Sequence, residues 1–155
     1  MEEVVSLIPM AKIVAISISE EKGTKKKPIA EGFFRENYGL CGDAHAEFGI
    51  KRQVSLLALE SIKKMRGLGL DVSPGDFAEN LTTEGIELAS LPVGTKLKIG
   101  EELTLEISRI GKECHTGCAI FCQVGKCIMP KEGVFARVLK EGRVKPGDEI
   151  RVLEE

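Results

Sequence analysis

The clearest alternation of apolar and polar positions runs over Lys12–Ser19, where Val14, Ile16 and Ile18 face away from Ile13, Ala15 and Ser17. A period of two in β-branched residues predicts a strand, with Val14, Ile16 and Ile18 as its richer face. Alternation returns at Lys96–Ile99 and at Leu103–Ser108, with Gly100 between them, which predicts an antiparallel hairpin. Glu149–Leu153 reads as a closing strand, and Val134–Leu139 fits either a strand or a helical turn. Phe77–Thr83 alternates loosely, like a short strand. Helical periodicity is clear once, over Ser55–Gly67: Leu56, Leu59, Ile62 and Met65 form one stripe, Ser55 is placed to cap, and Gly67 and Gly69 stop it. Two phrases echo each other, Pro92-Val93-Gly94-Thr95 and Lys145-Pro146-Gly147-Asp148, each setting a glycine turn before a strand. Many short strands, glycine turns and one helix predict a closed or nearly closed β-barrel. The absence of a regular β-α alternation counts against a Rossmann sheet.

Composition narrows the class. The chain has 155 residues, suited to a single domain with its core over about residues 12–153. Apolar residues at 43% and charged residues at 30% exclude a disordered chain. A net charge of -2 and the lack of tryptophan give no support to nucleic-acid binding. No apolar run is long enough for a membrane span, and the acidic start carries no basic n-region, so a cytoplasmic location is expected. Fingerprints for dinucleotide binding, P-loops, zinc proteases and serine hydrolases are missing.

Cysteine carries the candidate chemistry. Four of the five cysteines, Cys114, Cys118, Cys122 and Cys127, are clustered, and His115 lies inside the cluster. Three readings are open. The cluster has enough ligands for a structural zinc site, although Cys-x3-Cys is not the usual knuckle spacing. Its members also suit small buried hydrophobes beside Ala119, Ile120 and Phe121. Cys114 alone, next to His115 and close to Lys112, suits a reactive thiol whose thiolate a neighbouring cation favours. Elsewhere, Lys25, Lys26 and Lys27 form a basic loop, either a solvated hairpin tip or a rim for a phosphate. Asp43 and His45 stand at a glycine turn, Arg52 precedes the expected helix, where an anion would meet the helical amides, and Asn80 suits a two-way hydrogen bond to a ligand.

These phrases, in order, resemble the MOSC family, the C-terminal domain of molybdenum cofactor sulfurases, in its small stand-alone form. The likeness rests on Lys12–Ser17 with its lysine-rich loop, Gly42-Asp43-Ala44-His45, Arg52–Leu57, Gly75–Ile86, Leu91–Thr95 and Gly111-Lys112-Glu113-Cys114-His115. It implies a compact, strongly bent barrel of mixed strands with a few short helices. It also implies a cleft cysteine, best matched by Cys114 with Cys118 second, that either accepts persulfide sulfur or ligates molybdenum. Asn80 matches an asparagine that holds the cofactor in molybdenum-binding relatives. Ala78 stands where those relatives often carry arginine.

The resemblance thus implies a sulfur carrier or molybdenum-cofactor-binding protein. Its alternatives are a small molybdenum-dependent reductase of N-hydroxylated compounds and a non-catalytic zinc- or thiol-bearing interaction domain. In the leading reading, Cys114 carries sulfur, and Lys112 or His115 stabilises its thiolate. Arg52, Lys25, Lys26 and Lys27 hold the pterin phosphate, and Asp43 and His45 orient or transfer a proton. A sulfur donor such as a cysteine desulfurase and a molybdoenzyme or cofactor-assembly protein are the expected partners. A reductase would add a redox partner. Pyridoxal phosphate is expected on a separate domain, not on this chain.

Overall fold

The computed structural model describes residues 11–21, 26–110 and 133–153. The strands are β1 Ala11–Ile18, β2 Lys27–Ile29, β3 Gly32–Arg35, β4 Gly39–Leu40, β5 Val54–Ala58, β6 Leu81–Glu84, β7 Lys96–Ile99, β8 Leu103–Ile110, β9 Val134–Lys140, β10 Gly142–Val144 and β11 Glu149–Leu153. One α-helix, α1 Leu59–Gly67, and a single 3-10 turn at Leu88–Ser90 complete the described elements. Strands β11, β7, β8, β9, β5, β6 and β1 follow one another around a seven-stranded mixed barrel, closed by pairing of β1 with β11. β2 extends the sheet beyond β1, and β10, β3 and β4 form a separate three-stranded sheet. The expected barrel is therefore present, and the described residues add one α-helix and one 3-10 turn to it.

All the barrel pairs are antiparallel except β5 with β6. That pair is parallel because α1 carries the chain back along the outside of the barrel, as a crossover must. The helix accordingly starts later than the periodicity predicts. Ser55 lies inside β5, and the residue before the helix is Ala58, with no side-chain cap. All of Val54–Ala58 is buried, because Val54 and Leu56 face the barrel core while Leu57 lies under the helix with Ile62, Met65 and Phe135. A strand covered on both faces reads as a continuous apolar run, which mimics the start of a buried helix. Phe77–Asn80 is likewise not strand; β6 begins only at Leu81. Val134–Leu139 resolves as strand β9.

The two echoing turns hold equivalent places. Gly94 N–H donates to the Ile107 carbonyl (2.7 Å), and Ile107 N–H donates to the Thr95 carbonyl (2.8 Å). Gly147 N–H donates to the Ile13 carbonyl (2.7 Å), and Ile13 N–H donates to the Asp148 carbonyl (2.8 Å). Both glycines have φ of 98°, the left-handed conformation that the third position of such a turn demands. Each clamp grips a strand just before an irregularity, between Ile107 and Arg109 in β8 and between Ile13 and Ala15 in β1. β7 and β11 then pair with Leu97 opposite Val152 and Ile99 opposite Ile150. Across the barrel Leu56 pairs with Leu81 on one side and Val134 on the other. The register thus relates the two halves by an approximate two-fold axis between β7 and β11.

The irregularity in β1 changes its inward face. Ile13 and Ile16, three apart, are both fully buried, whereas Val14 and Ile18 are only partly so. An extra residue shifts the alternation by one, so the expected face of Val14, Ile16 and Ile18 does not form. Gln53 ties the small sheet to the barrel: its Oε1 accepts from Val138 N–H, and its Nε2 donates to Asn37 Oδ1. Leu56, central in this core, should be costly to truncate. Leu56→Ala is expected to lose about 2–5 kcal/mol in urea denaturation. The same change at exposed Leu68 should stay within about 0.5 kcal/mol.

Candidate functional site

Three separate segments meet beyond the end of β1. Ser19 follows the strand, Lys26 precedes β2, and Asp43 and His45 lie in the loop after β4. Asp43 is placed by the Gly42 turn, since Gly42 adopts φ of 91° and Asp43 N–H donates to the Leu40 carbonyl. The Lys26 ammonium and the Asp43 carboxylate form a fully buried ion pair, Nζ to Oδ1 at 2.8 Å. Lys26 Nζ also reaches Ser19 Oγ (3.3 Å) and His45 Nδ1 (3.1 Å). Ser19 N–H donates to Asp43 Oδ1 and His45 N–H to Asp43 Oδ2, both at 3.1 Å.

An ammonium has three protons and accepts none. Here it faces three acceptors, so His45 Nδ1 accepts and the ring carries its proton on Nε2. The imidazole side chain is 37% exposed, while Lys26 and Asp43 side chains are wholly covered. The array therefore holds a charged pair in the interior and presents one histidine in a fixed tautomer at the surface. Burial alone would raise the Asp43 pKa. The Lys26 ammonium and the Ser19 amide outweigh it and take the carboxyl well below the usual carboxylate range.

Other expected site residues are placed differently. Lys26 was expected in an exposed loop, but it is 2% exposed and its charge is matched by Asp43. Lys27, beside it, is exposed. Asn80 is 1% exposed, and its amide is engaged within the protein. Ser55 N–H and Oγ–H donate to Asn80 Oδ1, and Asn80 Nδ2 donates to the Ser17 carbonyl. It joins β1, β5 and the start of β6 rather than offering its amide outward. Arg52 stands before β5, not before a helix, and its guanidinium lies over the Phe135 ring at 5.7 Å. Lys25, Lys112, Cys114, His115 and Cys118 lie outside the described residues.

Several polar residues of this region gave no signal of their own in the sequence. Ser17 and Ser19 look like ordinary strand positions, and Ser55 reads as a helix cap. Glu79 is fully buried and accepts from Gly75 N–H and Thr82 Oγ–H, each at 2.8 Å. Burial pushes its carboxyl up despite those hydrogen bonds. A charged residue between Ala78 and Asn80, just ahead of an apolar strand, was the one hint available.

The family profile of the MOSC domain matches residues 43–151, which contain both the Asp43–His45 turn and the barrel from β5 onward. The chain belongs to the MOSC family. MOSC domains are associated with the molybdenum cofactor, so this is a molybdenum-cofactor-related domain. Among solved structures, the barrel is similar to the YuaD protein of Bacillus subtilis, with a TM-score of 0.77, 19% identity, and coverage of 93% of this chain and 96% of that one. YiiM of Geobacillus stearothermophilus gives 0.68 at 19% identity, covering 93% of this chain and 75% of its own. YiiM of Escherichia coli gives 0.64 at 21% identity, covering 95% and 71%. At such identities these likenesses establish the MOSC fold alone. No curated protein sequence matches significantly.

A molybdenum pterin asks for a soft ligand to the metal and donors for its phosphate. Among the described residues the free thiol is Cys41, which is exposed, and no group of three or more His, Cys, Asp or Glu is placed to hold a metal ion. The Lys26 charge is spent on Asp43 and the Asn80 amide on Ser55 and Ser17. The described MOSC residues thus do not assemble a cofactor cradle by themselves. No helix among them is long and apolar enough to cross a membrane.

The buried pair should dominate the acid limb of stability. Asp43→Asn leaves the Lys26 ammonium buried without its counter-charge and is expected to cost about 3–5 kcal/mol at pH 7. A depressed folded pKa contributes stability above the unfolded value near 3.9, lost as pH falls toward the folded value. Urea midpoints between pH 7 and 3 should therefore fall less steeply in the variant than in the wild type.

Proposed function

We propose that this MOSC domain carries sulfane sulfur on Cys114 for a molybdenum-cofactor-related acceptor. The observation that carries this reading is the Lys26–Asp43–His45 array, whose Gly42-Asp43-Ala44-His45 phrase lies in a chain that belongs to the family. Its chemistry suits anionic sulfur. A half-exposed imidazole with its proton held on Nε2 is a ready donor to a thiolate or perthiolate, and the fixed ammonium behind it keeps Nδ1 from taking that proton's place. Exposed Lys27 and Arg52 supply further positive charge for an anionic partner group.

The transfer itself balances without an oxidant. The Cys114 thiolate attacks the outer sulfur of a donor persulfide, the donor's S–S bond breaks, and its electron pair leaves on the donor thiolate. Cys114 then holds Cys–S–SH, and the acceptor's nucleophile repeats the step. A proton donor near the leaving thiolate speeds either half, and His45 is the candidate among the described residues. The donor is a persulfide-forming enzyme of the cysteine desulfurase type, and the acceptor is a molybdoenzyme or a protein that matures its cofactor. No molybdenum chemistry is assigned to the described residues.

Intact mass spectrometry decides the matter. Protein treated with a persulfide donor is expected to gain one sulfur, about 32 Da, on Cys114. Cys114→Ser should abolish the gain, and His45→Gln should slow its onward transfer while leaving the adduct possible. An unchanged gain in Cys114→Ser would sink the carrier role. Molybdenum and pterin copurifying with the chain, and no sulfur uptake, would point instead to the reductase. One zinc per chain with no uptake would point to the interaction domain.

A further inference from the structure

Glu79 belongs to none of the chemistry above, yet it is the most enclosed carboxyl described, with 0% exposure. Its contacts lead step by step to Lys26. Glu79 Oε2 accepts from Thr82 Oγ–H and from Gly75 N–H, both at 2.8 Å. The Gly75 carbonyl in turn accepts from the Lys26 backbone N–H at 2.8 Å. The two backbones are in unusually close approach here. A Cβ on Gly75 would overlap the Lys26 carbonyl oxygen and press on Ser17 Oγ, and Gly75 has φ of 94°. Ala78, just before Glu79, also has a positive φ, 66°, without being glycine. A backbone held in such a conformation persists only where its surroundings over-determine it.

We infer that Glu79 is a positioning residue: its carboxyl pins the Gly75 turn, and the turn sets the depth of Lys26 and so the contact of its ammonium with Asp43 and His45. This assignment rests on the role proposed for that array. Among the described residues the second oxygen, Glu79 Oε1, has no hydrogen-bond partner, nor does Ser17 Oγ beside the turn. The raised carboxyl pKa fits the same enclosure.

The Lys26 ammonium provides a direct readout. Its three protons are buried and hydrogen-bonded, so they should exchange slowly enough with water to give a nitrogen–proton NMR signal, identified through the Lys26 side-chain carbons. Glu79→Gln keeps an oxygen acceptor for Gly75 and Thr82 and should retain the signal. Glu79→Ala should lose it, or exchange at least about tenfold faster. Thr82→Val, which removes one donor that orients Glu79, should fall between. Ile62→Val, a core change under α1, lowers stability without touching the turn and should leave the signal unchanged.

Wild-type exchange in Glu79→Ala would overturn the assignment, whatever happens to its melting temperature. Loss of the signal in Glu79→Gln would also overturn it, because charge rather than the acceptor would then be what matters. So would equal acceleration in Ile62→Val, which would mark a global effect. If Glu79→Ala does not fold, Thr82→Val and Gly75→Ala decide, and wild-type exchange in both overturns the assignment. None of these readouts involves sulfur, so a failure of Cys114 to load would leave them intact.

Discussion

Closure of the barrel across β1 is the constraint from which the rest follows. This one strand pairs with β11 at its start, with β6 along its length and with β2 at its end. It manages three partners only because an irregularity between Ile13 and Ala15 turns it partway along. Before the turn its backbone serves the Gly147 clamp and closes the ring. After it, Ile16 fills the core, the Ser17 carbonyl receives Asn80, and the chain leaves at Ser19 toward the buried pair. Core, closure and candidate site are thus successive stretches of a single strand.

The site illustrates how a barrel can hold a charge in its interior. A lone ammonium there would be prohibitive. Lys26 is tolerated because each of its three protons has an acceptor and because Asp43 is in turn held by two backbone amides. Such a pair adds little net stability compared with apolar packing, but it fixes geometry, and the geometry it fixes is the orientation of His45. A half-exposed imidazole on a loop would otherwise sample both tautomers and several rotamers. Here the interior pair selects one tautomer, at a point where the family motif and the barrel end coincide. The wall on the other side, from Gly75 to Asn80, is equally determined. Its hydrogen bonds run to Lys26, Ser17 and Ser55, so two strands and two loops agree on where the lysine can lie.

The approximate two-fold arrangement adds a reason for the recurrence of short sequence phrases. Two glycine turns grip the neighbouring strand with the same pair of hydrogen bonds, and Leu56 pairs symmetrically with Leu81 and Val134. The symmetry ends where α1 makes β5 and β6 parallel. The helix packs on β5 and β6, and the three-stranded sheet is tied to β9 through Gln53.

Local pattern by itself determined the barrel class, the β7–β8 hairpin, the closing strand, the paired turns and the presence of one helix, because each depends on alternation or on a glycine turn. The ordered phrases determined the family. Tertiary structure alone decided where alternation yields to a neighbour. β5 reads as helix because both its faces are covered, and β1 breaks its own alternation because three strands share it. It also decided which lysine matters. Lys26 and Lys27 are equivalent as letters, and only the meeting of Ser19, Asp43 and His45, distant along the chain, draws Lys26 inside while Lys27 stays exposed. Asn80 and Glu79 follow the same rule. A polar side chain announces that it needs partners, but whether those partners are a ligand or the protein's own backbone depends on what the fold brings within about 3 Å.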